Sequence, residues 1–206
     1  MQWIAASIME ADMTHAVKQP LRWRIADVQG TGMEHVNVVM PESSPLSNQE
    51  ILLATDIPSP LQSNMDIKWS EEDAYLFQML LEKMLDHHGL ETLELENPEV
   101  VDVIHIVAAA HFLPPLDADL YLEDDIPTIL NEVDVGDLVA IHTKAGYKSA
   151  VIAELDSIEA VCVLIEPLEV EGQEELDVYD TLVVNKHSLL PAEFGNVIPG
   201  EEATIH

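Results

Sequence analysis

Apolar and polar residues alternate along two stretches near the start of the chain, as they do in β-strands buried on one face. This alternation predicts strands over residues 21–28 and 33–40, with a glycine-containing turn between them. Residues 41–70 contain several prolines and many Ser and Asn residues, which predict an extended arm or long loop with one short strand at 51–55. The chain is therefore predicted to begin with a β-rich part.

The spacing of apolar residues becomes helical in the middle of the chain. Ser70 is a good N-cap, and the acidic residues at 71–73 favour the first turn of a helix through the helix dipole. An Asn-Pro pair at 97–98 predicts the start of a second helix, which ends at Phe112 and is apolar nearly all round. Two helices that pack together and against a sheet are therefore expected between residues 70 and 115.

The last part of the chain returns to the short apolar stretches of β-strands, and four strands are predicted at 138–143, 147–155, 160–166 and 181–185. A resemblance to SH3-like or Tudor-like small barrels rests on three motifs: Val-Gly-Asp-Leu-Val-Ala-Ile at 135–141, Gly-Tyr-Lys-Ser-Ala-Val-Ile at 146–152, and Val-Asn-Lys-His-Ser-Leu-Leu-Pro at 184–191. The resemblance covers residues 134–192 and implies a small β-barrel. It does not imply that methylated side chains are bound, because that requires an aromatic cage and the segment offers only Tyr147 and Tyr179.

The predicted fold is α+β: a β-rich N-terminal part with an extended arm, a central helix pair and a C-terminal SH3-like small β-barrel. The predicted segments are 1–69 for the β-rich part and arm, 70–115 for the helix pair, 116–133 for an acidic linker, and 134–206 for the barrel and a C-terminal tail. A chain of 206 residues has room for one or two domains of ordinary size.

Acidic residues greatly outnumber basic ones, with 39 Asp and Glu against 8 Lys and Arg and a formal net charge of -31. The imbalance is concentrated in residues 70–206, which hold 31 acidic and 4 basic residues, against 8 and 4 in residues 1–69. Hydrophobic residues make up 48% of the chain, so a folded core is expected rather than disorder. Because nucleic acids and anionic membranes are bound by clusters of Lys and Arg, the composition argues against both as direct partners.

No membrane span or secretion signal is expected. The most apolar stretch, residues 100–113, contains Asp102 and His105 and is shorter than the roughly 20 apolar residues that a spanning helix needs. The first 13 residues carry Glu10 and Asp12 and no cation, unlike a secretory signal peptide. The predicted location is the cytoplasm or a virion.

Few residues have the spacing of a catalytic or metal site. The Asp-His-His triplet at 86–88 is typical of metal-dependent phosphoesterases, but there it follows a strand, whereas here it ends a helix whose dipole it complements. His105 and His111 lie about 120° apart on the second helix and cannot bind one metal, and His105 is predicted to form a surface pair with Asp102. Cys162 is predicted to be a buried structural residue. Because no known catalytic or cofactor motif occurs, the protein is expected not to be an enzyme and to bind no cofactor or metal.

Two acidic stretches are the densest charge in the chain. The first contains Asp117, Asp119, Glu123, Asp124 and Asp125, and the second contains Glu171, Glu174, Glu175 and Asp177. Carboxylate oxygens are the ligands that calcium prefers, but the EF-hand pattern fails because Tyr121 and Leu122 occupy positions of its third ligand and glycine. Both stretches are therefore predicted to be solvated acidic loops, and their carboxylates are candidate interaction residues.

Two functions of different classes fit these features. The first is a non-enzymatic structural or assembly subunit of a larger complex, for example a phage virion, that acts by protein–protein contacts in a homo-oligomer or multi-subunit assembly. Trp3, Trp23 and Trp69 are the candidate contact residues, since aromatic residues are enriched at interfaces.

The alternative is an acidic DNA mimic that occupies a basic nucleic-acid-binding protein, as phage anti-defence proteins do. A compact body formed by residues 70–206 would be about 37 Å across, a length over which duplex DNA carries about 22 charges. The acidic stretches would then be the contact residues, provided that they lie on one face. A third interpretation is that the acidity serves solubility or adaptation to high salt.

Overall fold

The fold is α+β and is described by a computed structural model. The described residues are 21–27, 33–41, 50–59, 61, 65–88, 98–123 and 132–195. Within them lie two helices and two β-sheets, and the chain divides into two compact units, Met1–Glu72 and Asp73–His206.

The first unit contains a four-stranded antiparallel sheet. Its strands are β1 (Arg22–Ala26), β2 (His35–Pro41), β3 (Glu50–Pro58) and β4 (Met65–Lys68), in the order β3-β2-β1-β4. Alternation along β1 puts Trp23 and Ile25 on one face, where both are fully buried, and Arg24 on the other. The Arg24 guanidinium donates two hydrogen bonds, of 2.8 and 2.9 Å, to the carboxylate of Asp66 directly opposite it on β4.

Two of these strands, β3 and β4, lie where the sequence predicted an extended arm, so that prediction is wrong for their residues. β3 is longer than the short strand expected there, and β4 was not expected at all. Proline misleads here because it cannot donate a hydrogen bond to a neighbouring strand, yet it is tolerated at strand ends. Pro41 is the last residue of β2 and Pro58 the last of β3, so these prolines end strands of the sheet.

Both predicted helices are confirmed. Helix α1 spans Glu71–His88 and begins directly after Ser70, while helix α2 spans Pro98–Phe112 and begins at the predicted proline. Along α1, Leu80 and Leu81 are buried as expected. Helix α2 is buried on nearly all sides, which agrees with its apolar sequence.

The second unit is built on a six-stranded sheet. Its strands are β5 (Leu116–Asp117), β6 (Leu138–Thr143), β7 (Gly146–Leu155), β8 (Glu159–Leu164), β9 (Thr181–Asn185) and β10 (Leu189–Pro191), in the order β10-β6-β7-β8-β9-β5. β5 is parallel to β9, and the other pairs are antiparallel. Within the described residues, β10 and β5 are opposite edges of an open sheet, so the expected SH3-like barrel is not confirmed.

The two faces of this sheet are covered differently. On one face the inward residues of β6–β9 form a core with side chains from loops, among them Tyr121, Leu168 and Leu176. Helix α2 packs against β7 and β8, and none of its side chains belongs to that core, so α2 covers the opposite face. Leu182 points into the loop-covered core, and its neighbour Thr181 therefore points to the α2 side.

Candidate interaction surface

The first acidic stretch is held to the second sheet by its backbone. β5 pairs with β9, and Ala118–Leu120 form a 3₁₀ turn that Asp117 caps by accepting a 3.0 Å hydrogen bond from the N–H of Asp119. The N–H of Glu123 donates to the carbonyl of His142 on β6. Residues 116–123, predicted as the start of a linker, therefore form part of the second unit.

The second acidic stretch lies in the connection between β8 and β9. Leu168 and Leu176 face each other there and exchange two backbone hydrogen bonds, of 2.9 and 3.0 Å. Both side chains are buried in the core, whereas the residues between them form a charged tip that turns at Gly172 (φ 82°). The apolar pair anchors the connection, and its carboxylates are left exposed to solvent.

Tyr121 brings the two acidic stretches together. Its side chain is 5% exposed and belongs to the same core as Leu168 and Leu176, on either side of the charged tip. Burial raises the pKa of the Tyr121 phenol, and the nearby carboxylates of Glu174 and Asp180 raise it further. One carboxylate of the second stretch, that of Glu174, therefore lies close to Tyr121 of the first.

The acidic surface is defined here by the exposed carboxylates on the two sides of Tyr121. These are Asp117, Asp119, Glu123, Glu171, Glu174, Glu175 and Asp177. Two other predicted contact residues, Asp124 and Asp125, lie outside the described residues. Within the described part of the chain, no group of three or more His, Cys, Asp or Glu residues has the geometry to hold a metal ion. The arrangement can attract cationic groups of a partner without forming a compact ion cage.

Three of the four lysines of residues 70–206 contact other groups of their own chain. Lys83 donates to Asp137 and the Val135 carbonyl, Lys144 donates to the Leu120 carbonyl, and Lys148 lies 3.7 Å from Glu166. Lys186 contributes a little to the lowered pKa of Asp156, whose main cause is hydrogen bonding from the backbone N–H groups of Glu159 and Ile158. None of these contacts pairs a lysine with a carboxylate of the acidic surface, although the ammonium group of Lys144 lies at the Leu120 carbonyl, within the first acidic stretch.

A second polar cluster joins α2 to the residues before β9. The hydroxyl of Tyr179 donates a 3.0 Å hydrogen bond to Asp102, and its ring stacks on His105 with centroids 4.9 Å apart. His105 is 7% exposed, and its Nδ1 lies 2.9 Å from the carbonyl of Val101. The expected direct surface pair between Asp102 and His105 is replaced by contacts of both residues with Tyr179, which the local helical pattern did not indicate.

The tryptophans are placed differently from surface contact residues. Trp23 is 0% exposed and stacks on Trp69, with ring centroids 4.7 Å apart. Trp23 therefore stabilises the first unit and presents no side-chain surface to a partner. Trp3 lies outside the described residues.

Two further candidate residues, Cys162 and His111, are placed by contacts with the rest of the second unit. Cys162 is buried, and burial raises the pKa of its thiol to about 12, so it is not a thiolate nucleophile at neutral pH. His111 contacts Asp73 of α1 through a 2.8 Å hydrogen bond. The triplet at 86–88 ends α1, as predicted.

Neither described helix is both long and apolar enough to cross a membrane. Comparison with known proteins gives no relative: no protein-family model and no curated protein matches the chain.

Proposed function

We propose that the protein is a non-enzymatic subunit that acts by protein–protein contacts within a larger assembly, and that the acidic surface is a contact surface for a basic protein partner. The observation that carries this proposal is the meeting of two acidic stretches, far apart in sequence, around the buried side chain of Tyr121. A phage virion is one assembly of this kind, and a homo-oligomer is another.

The charge of the second unit supports a basic partner. Residues 70–206 carry 31 acidic and 4 basic residues, and three of those lysines contact other groups of the chain. A strongly negative surface raises the rate of encounter with positively charged partners and repels negatively charged ones. Solubility or salt adaptation requires only that the charge be spread over the surface, whereas binding is favoured by its concentration in one place.

The acidic DNA mimic remains a second candidate function, favoured by the same meeting of the two stretches. Such a protein needs negative charge along one face, and the two stretches together carry seven exposed carboxylates. The two candidates differ in the partner: the mimic binds enzymes whose natural ligand is nucleic acid, while the assembly subunit binds structural proteins or further copies of itself.

The experiment is affinity capture from a bacterial lysate at increasing salt, with mass spectrometry of the captured proteins and light scattering of the purified protein in parallel. A surface variant carries Glu171→Gln, Glu174→Gln, Glu175→Gln and Asp177→Asn. A matched control removes four exposed carboxylates elsewhere in the second unit: Glu132→Gln, Glu154→Gln, Glu159→Gln and Glu193→Gln.

We expect the surface variant, and not the control, to lose its partners, and wild-type binding to weaken as salt rises. Captured structural proteins or self-association would support the assembly subunit, and captured nucleic-acid-processing enzymes would support the mimic. Partners that both variants retain through high salt would contradict the proposed contact surface. A purified protein that is monomeric and captures nothing would contradict both functions.

A further inference from the structure

Three consecutive residues at the end of the β8–β9 connection each carry a feature that disfavours the folded conformation. The first is Tyr179, whose φ of 75° lies in the left-handed region, alone among the described non-glycine residues. In that region the Cβ atom of an ordinary residue crowds its own backbone. An aromatic residue adopts it only where surrounding contacts impose it.

The second feature is the carboxylate of Asp180. Desolvation raises its pKa, and the negative charges of Asp177 and Glu174 raise it further, although a 2.8 Å hydrogen bond from the N–H of Asp177 acts in the opposite direction. The charged form of Asp180 is therefore disfavoured in the folded protein.

The third feature is the hydroxyl of Thr181. The residue is 2% exposed, and its Oγ1 has no hydrogen-bond partner among the described residues. Burial of an unpaired hydroxyl is unfavourable, because the hydroxyl would be hydrated in an open conformation.

A small set of contacts offsets these features. The side chain of Tyr179 is fixed to α2 by its hydrogen bond to Asp102 and its stacking on His105, with the two rings 9° from parallel. The backbone is fixed to β8, since the N–H of Tyr179 donates to the carbonyl of Leu164 (2.8 Å) and the N–H of Leu164 donates to the backbone carbonyl of Asp180 (2.9 Å). The charged tip before this turn is anchored separately, by the buried pair Leu168 and Leu176, so the clasp holds only the residues between Leu176 and β9.

We propose that residues 177–180 form a strained turn that Tyr179 clasps onto α2, and that this turn opens locally, freeing the backbone between the buried Leu176 and β9, while the sheet of the second unit remains folded. Local opening is expected where unfavourable features concentrate on a few residues held by few contacts. The proposal concerns the free protein and does not depend on the proposed function.

The charges around Asp180 also determine which conditions favour the closed turn. Neutralisation of Glu174 and Asp177 by a bound cationic group removes the repulsion on Asp180 and therefore favours the closed turn. Such a group shifts the equilibrium only because it binds the closed turn more strongly than the open one.

The test is backbone amide hydrogen exchange, resolved by residue, in wild type and in Tyr179→Phe. This substitution keeps the ring and removes the hydroxyl that donates to Asp102. We expect the amides of Asp177, Tyr179 and Leu164 to exchange about 3- to 10-fold faster, the range for loss of one partly exposed hydrogen bond. The amide of Ile152, which donates to the carbonyl of Asp137 within the sheet, should be unchanged.

The controls separate a clasp from general destabilisation. Tyr75→Phe changes an exposed tyrosine of α1 and should leave all these amides unchanged. Asp102→Ala removes the other partner of the bond and should reproduce the effect of Tyr179→Phe, with no further increase in the double variant. Unchanged exchange in both single variants, or an equal increase at Ile152, would overturn the proposal.

Discussion

The Nδ1 atom of His111, in the last turn of α2, lies 2.8 Å from a carboxylate oxygen of Asp73, in the first turn of α1. The side chain of Asp73 is only 6% exposed. A carboxylate only accepts hydrogen bonds, so the imidazole N–H donates. Each residue also complements its own helix dipole, because the acid lies at an N-terminus and the histidine at a C-terminus.

Loss of this contact should destabilise the second unit. His111→Ala removes a hydrogen bond from a buried carboxylate, and we expect the free energy of unfolding to fall by about 1–2 kcal/mol. Urea denaturation followed by circular dichroism measures the change. His187→Ala, at an exposed position, is the control and should have little effect. Equal stability of the two variants would contradict a structural role for the contact.

Cys162 should be unreactive in the folded protein. It is fully buried on β8, and burial raises the pKa of its thiol to about 12, so almost no thiolate is present at pH 8. We expect negligible alkylation by iodoacetamide in buffer and complete alkylation in denaturant, measured by intact mass. Rapid alkylation under native conditions, without unfolding detected by circular dichroism, would refute the buried placement.

Most helices and strands could be predicted because their apolar spacing is local. Helix α2 begins and ends where its proline and its last apolar residue predict, and β6 has the predicted bounds. β4, β5 and β10 were missed because strands of four, two and three residues carry too little alternation to distinguish them from loops. Their place in the sheets is set by pairing with distant strands.

The acidic surface also depends on contacts between residues that are distant in sequence, which a local pattern does not show. Composition identified both acidic stretches, but their meeting depends on the burial of Tyr121 in a core shared with Leu168 and Leu176. Asp102 and Tyr179 are separated by 77 residues, so no local pattern could join them. The prediction that the tryptophans are contact residues was wrong for Trp23 for a related reason. Tryptophan suits an interface and a core equally well, and only packing assigns Trp23 to the core.

Gly136 should be less tolerant of substitution than Gly172. Both have φ near +80°, so Ala adds backbone strain of about 1–2 kcal/mol at either position. At Gly136, however, the added Cβ would also lie 3.3 Å from the Cβ of Met79 on α1, whereas at Gly172 it would meet nothing within 4 Å. We expect Gly136→Ala to lower the free energy of unfolding by the larger amount, measured in urea. A larger loss in Gly172→Ala would contradict the close approach of α1.

Asp180→Asn should stabilise the protein at neutral pH. Desolvation, Asp177 and Glu174 together raise the pKa of Asp180 in the folded state. A raised carboxyl pKa contributes stability that is fully present below the unfolded pKa and is lost as pH rises through the folded pKa. Asn keeps an oxygen acceptor for the N–H of Asp177 and carries no charge. The gain at pH 7 should be below about 1 kcal/mol, because the site is partly solvated and its charges are screened.

Asp156→Asn supplies a control of opposite sign. The N–H groups of Glu159 and Ile158 hold the pKa of Asp156 below its usual range, so its charged form is favoured in the folded protein. Its contribution is present above the unfolded pKa and is lost as pH falls through the folded pKa. Urea denaturation across pH 3 to 7 should therefore give curves that diverge from wild type in opposite directions at neutral pH and approach it in acid. Destabilisation by Asp180→Asn at pH 7 would mean that the hydrogen bond from Asp177 outweighs the repulsion. The charge of Asp180 would then no longer be one of the features that disfavour the closed turn.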